Sequence, residues 1–213
     1  MTRILIADDH AIFREGLRQI LEDVLDLAVV DEASRGQEVL DKVSKTDYDL
    51  LLLDIAMPGL SGLDTLKLLK SQKPNLRVLI LSMYPEEQYA IRAIKAGAFG
   101  YITKASASED LIKAIRKVSR GEKYFSASIA DKLLSDFEPE PEQPPHERLS
   151  DREYQIICMI GRGKTVSEIA DALALSVKTV STHRMHILEK MQMKTNAELT
   201  NYAIKHNLVC MTD

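Results

Sequence analysis

An α/β domain built on a parallel sheet, followed by an all-α domain, is predicted by three observations. Short apolar runs alternate with helical patterns from residue 3 to about residue 120. One of them, Leu50–Leu53, is four consecutive leucines that stop at Asp54, as expected of a strand buried on both faces. Beyond an acidic, proline-rich stretch the strand-like runs cease, and only helical patterns with capping residues remain.

Five segments read as strands: Arg3–Ala7, Leu27–Ala33, Leu50–Asp54, Arg77–Ser82 and Gly100–Thr103. Five amphipathic helices are expected over Phe13–Leu25, Gln37–Val43, Gly62–Lys70, Glu86–Ala96 and Ala107–Arg120. Strict alternation favours a parallel sheet with right-handed crossovers. Five strands fit the flavodoxin-like (βα)5 order 2-1-3-4-5, which sets strands one and three side by side where open α/β sheets put their chemistry.

That order carries Asp8 and Asp9, at the end of the first strand, to Asp54 at the end of the third. Three close carboxylates repel unless a cation lies among them, and an oxygen-only donor set suits Mg²⁺. Helix capping would explain one of the acids, not all three. Asp54 ends its strand at a cleft before a Pro58-Gly59 turn and is the expected acceptor of a phosphoryl group. Ser82 ends the fourth strand and Lys104 follows the fifth, so a hydroxyl and an ammonium flank the acceptor. Singly, Ser82 would pass for a strand-end cap and Lys104 for a solvated surface charge.

Together the Asp8–His10 triplet, the D-x-x-M-P-G of Asp54–Gly59, Ser82 and the G-Y-I-T-K of Gly100–Lys104 resemble a bacterial response-regulator receiver domain. The resemblance implies that Asp54 takes phosphate from a sensor histidine kinase and becomes 4-aspartylphosphate. It implies Mg²⁺ held by Asp9, Asp54 and the backbone carbonyl of Ala56, with Asp8 on a metal-bound water. Ser82 is then expected to swing toward the acyl phosphate while Tyr101 rotates inward behind it. Many such domains have proline after the lysine, often cis; Ala105 stands here. A cis bond before a non-proline costs roughly 3–4 kcal/mol, so that peptide is expected to be trans or strained.

After Arg120 a short helix is expected at Ile129–Leu134. Pro139, Pro141, Pro144 and Pro145, with five acids between Asp136 and Glu147, make an extended tether. The expected domains are therefore 1–122, a short helix plus linker over 123–147, and 148–213.

The last domain reads as four helices. Ser150 with Glu153 and Thr165 with Glu168 are capping boxes, Ser176 caps the third helix and Asn196 opens the fourth. Two short helices with a tight turn and small Ala170 at their crossing read as helix-turn-helix. On the third helix Val180, Ile187 and Met191 share one side, while Lys178, Ser181, Thr182 and Met185 share the opposite one. A short, mostly polar face of this kind suits the major groove, where Met185 meets a thymine methyl; a plainly solvated face is the alternative. Glu189 would repel phosphate and is expected to lie beyond the groove.

The E-I-A-x-x-L and S-x-K-T-V-x-x-H motifs within Thr165–Met191, with the L-S-x-R-E opening at Leu149, resemble a LuxR-type DNA-binding domain. The whole plan is similar to NarL/FixJ-type transcriptional regulators. The resemblance implies phosphate contacts from Lys178, Thr179, His183 and Arg184, and base-edge contacts from Ser181, Thr182 and Met185. It also implies double-stranded DNA and a phosphorylation-dependent second copy as partners, with RNA polymerase a further candidate.

Composition bounds the rest. Hydrophobic content of 45% and charged content of 28% are ordinary for a globular chain. No apolar run approaches a membrane span, and MTRILIADDH carries no signal-peptide pattern, so a cytoplasmic protein without membrane contact is expected. Cys158 and Cys210 lack metal-ligand spacing. Residues 146–213 hold nine basic and eight acidic side chains, the remainder 19 and 24, an asymmetry too mild to decide on nucleic acid. Two rivals stay open. A dehalogenase-type phosphatase needs an acid two positions after its nucleophile, where Ala56 stands here; the chain is expected to be a phosphoacceptor with at most weak self-dephosphorylation. A protein-binding helical module would lack salt-dependent affinity for duplex DNA.

Overall fold

The computed structural model describes residues 1–106, 108–126, 129–130 and 144–209. The expected helix at Ile129–Leu134, most of the tether and Cys210 lie wholly or partly outside them. The chain divides into two compact units, Met1–Ser135 and Asp136–Asp213.

In the first unit, β1 (Thr2–Ala7), β2 (Leu27–Ala33), β3 (Leu50–Leu53), β4 (Arg77–Ser82) and β5 (Gly100–Thr103) form one sheet in the order β2-β1-β3-β4-β5. All four pairings are parallel, as the alternation predicts. Helices α1 (Ala11–Glu22), α2 (Gly36–Lys45), α3 (Gly62–Gln72), α4 (Glu86–Lys95) and α5 (Ser108–Ser119) connect or follow the strands. Helix α1 begins and ends earlier than the apolar spacing suggests. The chain turns at Asp23, and Leu25 is left almost fully exposed.

Alternation along the strands divides the core. Ile4, Ile6, Leu50, Leu52, Leu79 and Leu81 pack with Leu17 and Leu21 of α1 and with Leu111, Ala114, Ile115 and Val118 of α5. Leu5, Leu51, Leu53, Val78 and Ile80 belong to the other face and are equally buried. All four β3 leucines are at most 1% exposed, which is why that strand has no polar face. Register then lines up the strand ends. Ala7 pairs with Leu53, Leu53 with Ile80 and Ser82 with Thr103. The Asp54 N–H donates to Ala7 O (2.9 Å) and the Lys104 N–H to Ser82 O (2.8 Å). Helix α3 enters so close to this rim that a Cβ on Gly62 would lie 1.9 Å from Asp54 O.

The first unit also continues past residue 122. Tyr124 forms a parallel bridge with Gly100, and Ile129 is fully buried.

The second unit has a 3₁₀ turn at Pro145–Arg148 and then α6 (Asp151–Gly161), α7 (Val166–Leu173), α8 (Val177–Met191) and α9 (Asn196–Lys205). Both capping boxes form, Ser150 with Glu153 and Thr165 with Glu168. Ser176 caps α8 by accepting from the Thr179 N–H. Ile156, Ile157 and Ile160 of α6 are buried, as are Ile169 of α7, Val180 and Ile187 of α8 and Leu199 of α9. Ala170, 2% exposed, makes the close crossing possible, and Ala174 ends α7 in the left-handed region (φ 51°). No helix among the described residues is long and apolar enough to cross a membrane.

Candidate functional site

The row of strand ends gathers the residues that the sequence singles out. Ligand atoms of Asp8, Asp9, His10 and Asp54 lie within 4.8 Å of one another. Asp8 and Asp54 are 1% and 2% exposed, a position that two like charges hold only beside a cation. Lys104 supplies one: its Nζ lies 2.7 Å from Asp54 Oδ2 and 2.5 Å from Asp8 Oδ2. The ammonium donates to Asp54 Oδ2, and Asp8 Oδ2 is its second carboxylate contact. Asp54 Oδ1 accepts from the Ala56 N–H at 3.2 Å.

These contacts set the titration of the pair. Burial pushes the Asp54 carboxyl above the ordinary carboxylate range; Lys104 pulls it back and Asp8 pushes it further up. Burial works against the Lys104 ammonium, but the facing Asp54 and Asp8 carry it above the usual lysine value.

Three further side chains shape the site, and the sequence reasoning did not single them out. His10 Nδ1 lies 2.9 Å from Asp9 Oδ1 and 3.3 Å from Asp8 Oδ1, bridging the two acids. The Phe13 ring lies under Lys104, with Nζ 4.7 Å from its centroid. Arg14 donates to Asp8 O (2.6 Å) and to Glu32 (2.9 Å), bracing the loop that carries the acids. The signal for all three was their place at the start of α1, directly after the acid pair. An apolar groove lined by Ile12, Phe13, Gly16, Leu17, Ile20 and Met83 opens beside Lys104.

Ser82 is fully buried, and its Oγ accepts from the Tyr84 N–H at 3.2 Å. Tyr101 is already turned inward: it is 2% exposed and its hydroxyl donates to Tyr84 O (2.8 Å). The Tyr101 ring thus occupies the inward position in this structure. Burial raises the Tyr101 phenol above its usual value. No peptide bond among the described residues is cis, so the Lys104–Ala105 bond is trans.

In the second unit α7 and α8 meet through the three-residue turn Ala174–Ser176. Lys178, Ser181, Thr182 and Met185 are exposed on the outer face of α8, joined by Val177 and Glu189. Met185 is 58% and Val177 51% exposed, so this face carries apolar as well as polar side chains. The Thr182 hydroxyl donates to Lys178 O (3.0 Å). The remaining expected contacts lie on the flanks. Thr179 Oγ1 pairs with Ser176 Oγ at 2.8 Å, and Arg184 Nε donates to Asn196 Oδ1 at 2.5 Å. His183 is half-buried, and that burial lowers its proton affinity.

Residues 4–116 match the response regulator receiver domain family, and residues 147–203 match the bacterial regulatory proteins of the luxR family. The chain is a response regulator of the NarL/FixJ type. The response regulator GacA of Pseudomonas aeruginosa is 39% identical to it over 211 residues, 98% of each chain. The response regulator UvrY of Escherichia coli K12 is 36% identical over 209 residues, 98% of this chain and 96% of that one. RcsB from Salmonella enterica serovar Typhimurium, solved on promoter P1flhDC in the presence of phosphomimetic BeF3-, superposes with a TM-score of 0.65 at 27% identity, covering 94% of this chain and 97% of that chain. This response regulator therefore pairs a receiver, which implies a histidine kinase as partner, with a LuxR-type DNA-binding domain, as a DNA-binding transcription regulator.

Proposed function

We propose that this response regulator is switched by phosphorylation of Asp54, and that the switch controls duplex DNA binding through the outer face of α8. The observation that carries this is the buried Asp54 paired with Lys104 at the rim where the five parallel strands end. An Asp54 oxygen attacks the phosphorus of a phosphohistidine on the kinase. The phosphorus–nitrogen bond breaks, the imidazole keeps that electron pair, and an aspartyl phosphate forms. Lys104 moves from the carboxylates to the new phosphoryl oxygens, and the Ser82 hydroxyl donates to another. The added charge of about −1.5 to −2 draws both groups inward, while Tyr101 fills the space behind Ser82.

The donor set fits a divalent cation: three carboxylates converge, and two of them are buried. Asp9, Asp54 and the Ala56 carbonyl would hold Mg²⁺, with Asp8 on one of its waters. When bound, Mg²⁺ neutralises charge on the transferring phosphoryl group.

On DNA, Lys178 meets backbone phosphate, with Thr179, His183 and Arg184 along its flank. Ser181 and Thr182 hydrogen-bond base edges, and Met185 covers a thymine methyl. One cationic reader per module is weak, so two copies bind adjacent half-sites, and phosphorylation promotes that pairing. The protein works in the cytoplasm as a phosphoacceptor that turns over no other substrate, and RNA polymerase is its further partner at promoters.

Footprinting on promoter DNA with and without beryllofluoride and Mg²⁺ tests the switch. Protection is expected to extend or strengthen on loading, and Asp54→Asn is expected to abolish that response while keeping the fold. Equal footprints in both states would sink it.

A further inference from the structure

The outer edge of β5 is covered by the chain that follows α5. That chain turns at Gly121 (φ +85°) and runs back along the strand. The Tyr124 N–H donates to Phe99 O (2.9 Å), and the Tyr101 N–H donates to Tyr124 O (3.0 Å). Gly100 lies between these bonds, where a Cβ would be 3.0 Å from Tyr124 O and 3.1 Å from Tyr124 Cβ. Lys123 adds a side-chain anchor, with Nζ 4.3 Å from the Phe99 centroid and 2.9 Å from Ala98 O. Two residues beyond Tyr124, the Ser126 N–H donates to Glu86 Oε1 at 2.9 Å. Glu86 is the first residue of α4.

The strap over residues 123–126 is thus tied to two elements near the phosphoacceptor. It holds the backbone of Tyr101 directly. Through Glu86 it holds the far end of the β4–α4 loop, whose near end is Ser82 and whose middle residue, Tyr84, receives the Tyr101 hydroxyl. Two backbone bonds on a single bridge form a short ladder, and beside the Lys123 anchor the Glu86–Ser126 bond is what ties it to the β4–α4 loop. A carboxylate at the first turn of a helix is well placed to accept an N–H, and it needs no partner charge to stay there.

We propose that residues 123–126 are a phosphorylation-sensitive latch. It is closed by the Glu86–Ser126 bond and opens when the β4–α4 loop is drawn toward a phosphorylated Asp54. This rests on the phosphoacceptor role argued above. Ser82 closing on the phosphoryl group pulls residues 83–85 inward and takes Glu86 away from Ser126. The freed strap uncovers the β5 edge. No new contact has to form at a distance: the signal travels from Ser82 to Glu86 along the three residues of one loop.

Amide hydrogen exchange on the full chain tests it, with intact mass reporting phosphate on Asp54 after treatment with a small acyl phosphate and Mg²⁺. Protection of the Tyr124 and Ser126 amides is expected to fall about ten-fold on phosphorylation, the effect of one lost hydrogen bond. Glu86→Ala is expected to give the same loss without phosphodonor, whereas Glu86→Gln, which keeps the accepting Oε1, stays protected. Phosphate on Asp54 with unchanged protection at 124–126, or a Glu86→Ala variant as protected as wild type, overturns the latch and leaves the phosphoacceptor role standing. Absence of phosphate uptake overturns both.

Discussion

Lys104 faces two buried carboxylates at once. Its Nζ touches both buried carboxylates and rests on the Phe13 ring. Removing one partner of a buried ion pair leaves charge without compensation, at a cost of about 3–5 kcal/mol. Lys104→Met is expected to lose stability of this order in urea titrations without metal, and millimolar Mg²⁺ should restore part of it by seating among Asp8, Asp9 and Asp54. If Mg²⁺ stabilised the variant no more than wild type, the cation site would be misplaced. Asp8, Asp9, Asp54, Ser82 and Lys104 were all legible before any coordinates, because each sits at the end of a recognisable strand. His10 and Phe13 were not singled out. Nothing in their local pattern says that one ring bridges two acids and the other carries an ammonium.

Element by element, the apolar period and the caps did most of the work. The all-leucine run of β3 announces a strand without a solvent face, and Ser150, Thr165 and Ser176 mark helix starts that the structure reproduces. Helix α8 shows where this stops. Its wheel separates Val180, Ile187 and Met191 from Lys178, Ser181, Thr182 and Met185 correctly. It does not reveal that Arg184 is engaged by Asn196 of α9, or that His183 turns partly inward. In electrophoretic mobility shifts, Lys178→Ala should weaken binding to all duplexes alike and reduce the salt slope by about 1. Met185→Ala should instead cost about 1 kcal/mol, on the preferred site only. A uniform loss for Met185→Ala would move it from base contact to support.

At the scale of the whole molecule, contacts fall into Met1–Ser135 and Asp136–Asp213, so calorimetry is expected to resolve two transitions. Burial opposes ionisation of Glu153, yet the Lys190 ammonium at 2.7 Å and the Ser150 N–H hold its carboxyl below the usual value. A carboxyl lowered by folding contributes stability above its unfolded value, near 4.5, and loses it as pH falls through the lower folded value. The second transition should therefore drop in acid. Lys190→Met should melt earlier than wild type at neutral pH and converge with it as Glu153 protonates. Parallel curves at every pH would remove that ion pair from the account.

Strand and helix periods, turn residues and capping pairs are properties of neighbours in the chain. The sequence by itself therefore determined the five βα units, the helix-turn-helix and which residues stand at the strand ends. Tertiary structure alone decided how Lys104 is shared between Asp8 and Asp54, that Tyr101 already points inward, and that residues 123–126 lie along β5. These are contacts between segments far apart in sequence or at the ends of long side chains. Packing and charge balance in the folded core choose among their arrangements, and no local pattern records that choice.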